Sequence, residues 1–285
     1  MSDGITWVAS YPKSGNTMLR MLLEAHHYNS DSVDINKMVL ISGDAGSTLI
    51  QSVSPIPTED LGFNGEALLR PAMLLNYYCN RTPPVYLKTH FANLQTPGLP
   101  PFIPKEVTRK AVYVVRDPRD VFHSFASYFN FSPKMTATAM AGKDFTIGGQ
   151  KKQARQMVSS WSNHVASWTA EEGFPVHIVR YEDLVKDTAK ELSEVLEFLE
   201  IDVDPDRVDR AIKAVEISKL QKMEEEGGFR ENRATGSGFF SDGGGTRWRD
   251  EVAPRWIKQI EEDHGEVMRA LGYLDAEVTE LKAIK

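Results

Sequence analysis

Short unbroken apolar runs alternate along this chain with longer segments whose apolar residues recur every three or four positions. Residues 5–10 are rich in β-branched and aromatic side chains and read as a buried strand. Residues 85–89, 111–116 and 176–181 have the same character. Helical spacing predicts helices over 16–27, 66–79, 118–129, 150–171 and 188–200. Another is expected to begin at Pro254, a favoured first-turn residue, and to run to Leu271, where Gly272 stops it. Two stretches follow neither period, 43–64 and the glycine-rich 227–245, and both are expected to be loops. The alternation predicts an α/β fold, a single domain over 1–285 with a central parallel sheet flanked by helices. Ligands of such sheets bind beyond the carboxyl ends of the strands. Lys13, Lys88, His90 and Arg116 all fall at or just past a predicted strand end, so one cleft is expected to receive all four.

Composition narrows the picture. With 41% hydrophobic and 26% charged residues over 285 positions, the chain has the make-up of a soluble globular domain. No run approaches the length of a membrane span, and the N-terminus enters a strand at once, so neither membrane nor signal peptide is expected. Cys79 is the only cysteine, which rules out an intrachain disulfide and a cysteine-built metal site and fits a reducing cytoplasm. It is expected as a small apolar residue on a helix face. The net charge of −7 argues against a nucleic-acid partner and requires any anionic ligand to be held by local arrangement.

Candidate chemistry begins at Tyr11-Pro12-Lys13-Ser14-Gly15-Asn16-Thr17, between the first strand and the first helix. Such a junction presents backbone N–H groups at a helix N-terminus, where the dipole favours an anion. Lys13 adds charge, Ser14 and Thr17 add hydroxyl donors, and Gly15 lets the backbone close around a phosphate-sized group. The pattern departs from the nucleotide-triphosphate loop, in which the lysine follows the second glycine. An ordinary strand–turn–helix junction uses the same residue types.

Two further segments point the same way. Val85-Tyr86-Leu87-Lys88-Thr89-His90 is a strand ending in a Lys-Thr-His group. Val112 to Val115 lead into Arg116, with Ser124 eight residues later. In order and approximate spacing the three segments resemble the cytosolic-type sulfotransferase family, which uses 3′-phosphoadenosine 5′-phosphosulfate (PAPS). The similarity runs from about Ile5 to the Trp248 region.

The resemblance implies a fold akin to P-loop kinases and transfer of a sulfuryl group to a small-molecule acceptor. That acceptor would offer a hydroxyl or an amine, and a specialised metabolite is implied. It places Lys13 at the bridging oxygen of the donor and the backbone of Ser14, Gly15, Asn16 and Thr17 around the 5′-phosphate. His90 becomes the general base, with Lys88 on the same side of the strand positioning the sulfuryl group. Arg116 and Ser124 would grip the 3′-phosphate, and Tyr181 would contact the adenine. No metal is required, because a sulfuryl group carries less charge than a phosphoryl group.

The C-terminal part departs from the family pattern. The family's Arg-Lys-Gly segment and following tryptophan align with Ser241-Asp242-Gly243 and Trp248, so Gly243 and Trp248 carry over as cofactor residues but the basic pair is missing. Arg247, Arg249, Arg230 and Arg233 are candidates for the missing charge. The family's dimer motif falls on Arg249, Ala253-Pro254 and Lys258 and is not matched, so no oligomeric state is predicted. Two other functions compete, an ATP-using small-molecule kinase and a pseudoenzyme that only binds the desulfated cofactor, PAP. The first lacks the triphosphate-loop ending, and the second leaves the Lys88–His90 pair without a use. Five phenylalanines (63, 91, 129, 131 and 145), within 41–65, 91–101 and 129–149, are candidates for the acceptor pocket or for the core.

Overall fold

Ile5–Ser10 is buried at all six positions because it lies at the centre of the sheet. The computed structural model describes residues 4–150, 152–171, 173–232, 238–240 and 246–275. The chain runs β1 (Ile5–Ser10), α1 (Asn16–Tyr28), β2 (Ser42–Gly43), α2 (Ser47–Gln51), α3 (Thr58–Cys79), β3 (Val85–Thr89), β4 (Thr108–Val115), α4 (Pro118–Phe129) and α5 (Pro133–Ala141). A two-strand pair follows, β5 (Thr146–Ile147) and β6 (Gln156–Met157), then α6 (Trp161–Thr169), β7 (Val176–Arg180), α7 (Tyr181–Lys186) and α8 (Thr188–Phe198). The remainder is helical: α9 (Pro205–Ala214), α10 (Ile217–Gly227), α11 (Trp248–Glu251) and α12 (Pro254–Ala270).

The five sheet strands are parallel in the order β2-β3-β1-β4-β7. From β1 the chain passes to β3 on one side and then to β4 on the other. A crevice therefore opens at the carboxyl end of β1, between connections that leave in opposite directions. The pleat sends alternate side chains of one strand into two cores. Trp7, Ala9, Leu87, Tyr113 and Val115 pack on one face, with residues of α3, α4, α6 and α12. Val8, Tyr86, Val112, Val114 and Val179 pack on the other, with residues of α1, α8 and α9.

The expected strands are all present, with ends shifted by up to three residues. Three expectations are corrected. The helix over 150–171 is confined to Trp161–Thr169, where the Ser160 hydroxyl accepts from the Asn163 N–H and caps it. Before it the chain turns back through Gly148 (φ 88°) and Gly149 (φ 77°) to make the β5–β6 pair, a backbone that L side chains resist. Region 43–64 is not one loop: it contains part of β2, all of α2 and the start of α3, which is interrupted at Gly62 (φ 62°, ψ 172°). Cys79 sits on the last turn of α3 but is exposed.

Candidate active site

The turn from β1 into α1 has the geometry that can receive an anion. α1 begins after Gly15 with no side chain capping its first turn, so its leading N–H groups have no partner within the helix. Lys13 has φ 70° and Gly15 has φ 101°, two residues in the left-handed region within one tight loop. Gly15 is required for space as well: a Cβ there would lie 2.2 Å from the Tyr181 ring. Asn16 is buried, its side-chain amide donating to the Val8 carbonyl at 3.0 Å, so it anchors the helix to β1. The Ser14 hydroxyl is buried without a partner.

The ammonium of Lys13 lies 3.8 Å from the centre of the Phe239 ring and 4.5 Å from that of Tyr128. Burial and, after it, the positive charge of Arg116 lower its pKa from 10.5 to about 7, while Glu231 and Glu224 pull in the other direction. A lysine poised in this way takes up a full charge once an anion approaches.

Across β1, the strand β3 delivers Lys88 and, one residue past its end, His90. His90 Nδ1 lies 2.8 Å from the Ser10 carbonyl oxygen, which can only accept, so Nδ1 carries the hydrogen and the lone pair belongs to Nε2. Burial, and then the charge of Lys88, hold the His90 pKa well below its usual value, which keeps the ring neutral at physiological pH. A neutral imidazole with one nitrogen tied to the backbone and the other bare is a base in its receptive state.

Lys13, Gly15, Asn16, Thr17, Lys88, His90, Arg116, Ser124 and Tyr181 line a single cavity of about 920 Å³. Arg116 closes one side of it, with its Nη1 donating to the Lys13 carbonyl at 3.4 Å and its guanidinium 4.5 Å from the Tyr181 ring centre. Its Nε is buried and unpartnered. Met18, Met21, Ile217 and Leu220 add an apolar wall beside Tyr181, suited to a flat base. Tyr128, Phe129, Ile147, Gln153 and Phe239 also line it.

A family model for the sulfotransferase domain matches residues 3–272. The chain belongs to that family. Curated sulfotransferases resemble it at low identity. Rat sulfotransferase 1 family member D1 is 25% identical over 267 residues, covering 90% of this chain and 81% of the relative. Rat sulfotransferase 1C2 is 23% identical over 75% of this chain, and that match spans only 65% of the relative. Among solved structures, mouse sulfotransferase SULT7A1 complexed with PAP shares the fold with a TM-score of 0.60 and 19% identity, over 96% of this chain and 88% of that one.

Against that family pattern the C-terminal residues behave unevenly. Gly243, with Ser241 and Asp242, lies outside the described residues. Trp248 is absent from the described cavity wall. Its N–H donates to Asp120 Oδ1 at 3.1 Å, and the Arg119 guanidinium lies 4.0 Å from its ring, so it clamps α11 onto α4. Arg119 is buried, gripping Asp117 (Nη2 to Oδ2, 2.7 Å) and Glu261 (Nη1 to Oε1, 2.8 Å). Of the four candidate arginines, Arg247 reaches the cavity wall, near Ser124 and His123. Arg249 lies over Trp248, Arg230 donates to the Asn36 carbonyl, and Arg233 is outside the described residues.

Of the five phenylalanines, only Phe129 is on the described cavity wall. Phe63 and Phe91 pack on Phe102, and Phe131 and Phe145 pack on Phe125. Sequence reasoning missed the residues that hold His90. Gln156 Oε1 accepts from the His90 N–H at 3.3 Å, and His164 Nε2 lies 3.3 Å from the His90 carbonyl. Burial lowers the His164 pKa to about 3, so it holds that carbonyl as a neutral ring. It also missed Glu231, which stands beside Thr17 and Arg20. No local pattern marks any of these three. Among the described residues, no cluster of acidic, histidine and cysteine side chains could hold a metal ion, and no helix is long and apolar enough to cross a membrane.

Proposed function

We propose that this protein transfers a sulfuryl group from PAPS to a hydroxyl of a small, largely apolar acceptor. One observation carries the reading: a strand-end histidine with a bare Nε2 shares a cavity with a lysine-bearing, uncapped helix N-terminus. The donor fits the residues present. The buried Ser14 hydroxyl and Arg116 Nε, both without partners, are the kind of groups that an anionic ligand satisfies.

In this reading the α1 N–H groups and the Thr17 hydroxyl hold the 5′-phosphate, while Arg116 and Ser124 hold the 3′-phosphate. Tyr181 and the methionine wall take the adenine. His90 Nε2 removes the acceptor's proton as its oxygen attacks sulfur, and the S–O bond to the 5′-phosphate breaks on the opposite side. Lys13 stabilises the charge that develops on that leaving oxygen, and Lys88 orients the sulfuryl oxygens. Nδ1–H stays on the Ser10 carbonyl throughout and shares the positive charge of the imidazolium that forms. Every charge in this scheme is met by a side chain or a backbone dipole, so no metal is called for. The Tyr128, Phe129 and Ile147 wall favours an apolar body on the acceptor.

Calorimetric titration with PAP, ATP and adenosine 5′-phosphosulfate, followed by a label-transfer screen from PAPS to phenols and alcohols, tests the reading. PAP binding that depends on its 3′-phosphate, together with transfer to any of these acceptors, is the expected result. Preference for ATP, or no binding of PAP, refutes it.

A further inference from the structure

Among the described residues lining the cavity, Glu231 is the sole carboxylate, set against Lys13, Lys88, Arg116 and Arg247. Its position is fixed from both sides. Arg20 Nη1 donates to both of its oxygens, at 2.9 and 3.2 Å, and the Thr17 hydroxyl donates to Oε2 at 3.5 Å. The preceding residues are pinned to Asn36, whose Oδ1 accepts from the Arg230 N–H at 2.7 Å and whose Nδ2 donates to the Gly228 carbonyl at 2.8 Å. Phe229 is buried against Phe239 and Phe240. On the other side, the Asn232 amide donates to Glu224 Oε1 at 2.8 Å. Burial alone would raise the Glu231 pKa, but Arg20, Lys88 and the Thr17 hydroxyl outweigh it and leave the group ionised.

A fixed negative charge beside the phosphate loop costs affinity for every anionic donor, so attraction cannot be its use. It adds discrimination by charge. A sulfuryl group at the end of the donor carries one negative charge, whereas a terminal phosphoryl group at the same place carries nearly two. The penalty from Glu231 grows with that charge, while the shape of the two groups is nearly the same. We propose that Glu231 is a specificity-determining residue that makes the site prefer a sulfuryl-bearing donor over the phosphoryl-bearing isostere. The inference rests on the reading of the site as one for PAPS.

The test compares PAPS with 3′-phosphoadenosine 5′-diphosphate by calorimetry, in metal-free buffer without acceptor, for the wild type, Glu231→Gln and Glu231→Asp. Glutamine keeps one acceptor for Arg20, can donate from its Nε2 to the Thr17 hydroxyl oxygen, and removes the charge. It is expected to improve binding of the diphosphate by about tenfold more than binding of PAPS. Aspartate keeps the charge and is expected to keep the wild-type preference, even where both affinities fall through altered packing. An unchanged ratio in Glu231→Gln, or the same ratio shift in both variants, overturns the charge filter and leaves Glu231 as a tether for Arg20. A wild type that binds PAPS no better than adenosine 5′-phosphosulfate removes the donor assignment itself, and this inference with it.

Discussion

On the proposed function, Lys13 of the β1–α1 loop makes PAP affinity a proton-linked quantity. In the ligand-free site Lys13 titrates at about 7, lowered first by burial and then by Arg116. An anion placed against its ammonium restores the charged form and carries the pKa back toward the usual lysine range, so binding takes up a proton whenever the free group lacks one. At about pH 7.5 roughly a quarter of the free enzyme is protonated at Lys13, and PAP binding should take up about 0.75 proton. The sign follows from a pKa low in the free state and raised in the bound state: affinity is full below about pH 7 and is lost as pH rises through it. Between about pH 7.5 and pH 9 the protonated fraction falls some 25-fold, and PAP affinity should fall by about the same factor. The phosphate groups, with second pKa values near 6, add little over that range. Calorimetry in two buffers of different ionisation enthalpy reads the proton number directly, and Lys13→Met should bind PAP more weakly with no such uptake. Zero uptake by the wild type at about pH 7.5, or equal uptake by the variant, would refute the reasoning.

The other predictions concern the geometry around that lysine. Gly15→Ala forces a Cβ into the Tyr181 ring at a φ of 101°, and should cost at least about 2 kcal/mol of stability in urea unfolding. Adding Tyr181→Ala should recover the steric part and leave the backbone part, whereas a single variant within about 0.5 kcal/mol of the wild type would sink the argument. His90→Ala should lower turnover by about 10²–10⁴-fold and leave PAP affinity within about twofold, and near-normal turnover would remove His90 from the reaction. Arg116→Ala should weaken PAP by about tenfold relative to adenosine 5′-phosphate, and Arg247→Met, whose guanidinium already holds Glu251, by less. A variant that weakens both ligands equally does not read the 3′-phosphate.

What could be read in the sequence follows from how far each feature reaches along the chain. β1, β3, β4 and β7 announce themselves as apolar runs because they are buried in the middle of a two-faced core, and Lys13, Lys88, His90 and Arg116 are attached to their ends. Local pattern and position therefore sufficed to bring Lys13, Lys88, His90 and Arg116 to one cavity. Helical periodicity over 150–160 misled because tertiary pairing and two left-handed glycines outvoted propensity. Alignment alone makes Trp248 a cofactor contact; in the structure its ring lies against Arg119 and seats α11 on α4.

The remaining gap lies in charge balance, which is decided at long range. Arg20 meets Glu231 across 211 positions, and the Ser10 carbonyl that fixes the His90 tautomer lies 80 positions away from it. Glu251 holds both Arg247 (Nη2 to Oε1, 2.7 Å) and His123 (3.1 Å) at the Ser124 end of the cavity. Arg247 on the cavity wall and Arg20 off it therefore do not act on a ligand at full strength, because each has a carboxylate partner. Lys13 and Arg116 rest instead on aromatic rings, Phe239 and Tyr181, which attract a cation without cancelling its charge. An anion entering the cavity meets Arg116 with its charge least neutralised and returns Lys13 to its charged form, and the two flank the uncapped N-terminus of α1. The same division sets the Glu231 carboxylate on the cavity wall with Arg20 off that wall, so the pair presents its negative end to a ligand and leaves attraction to Lys13 and Arg116.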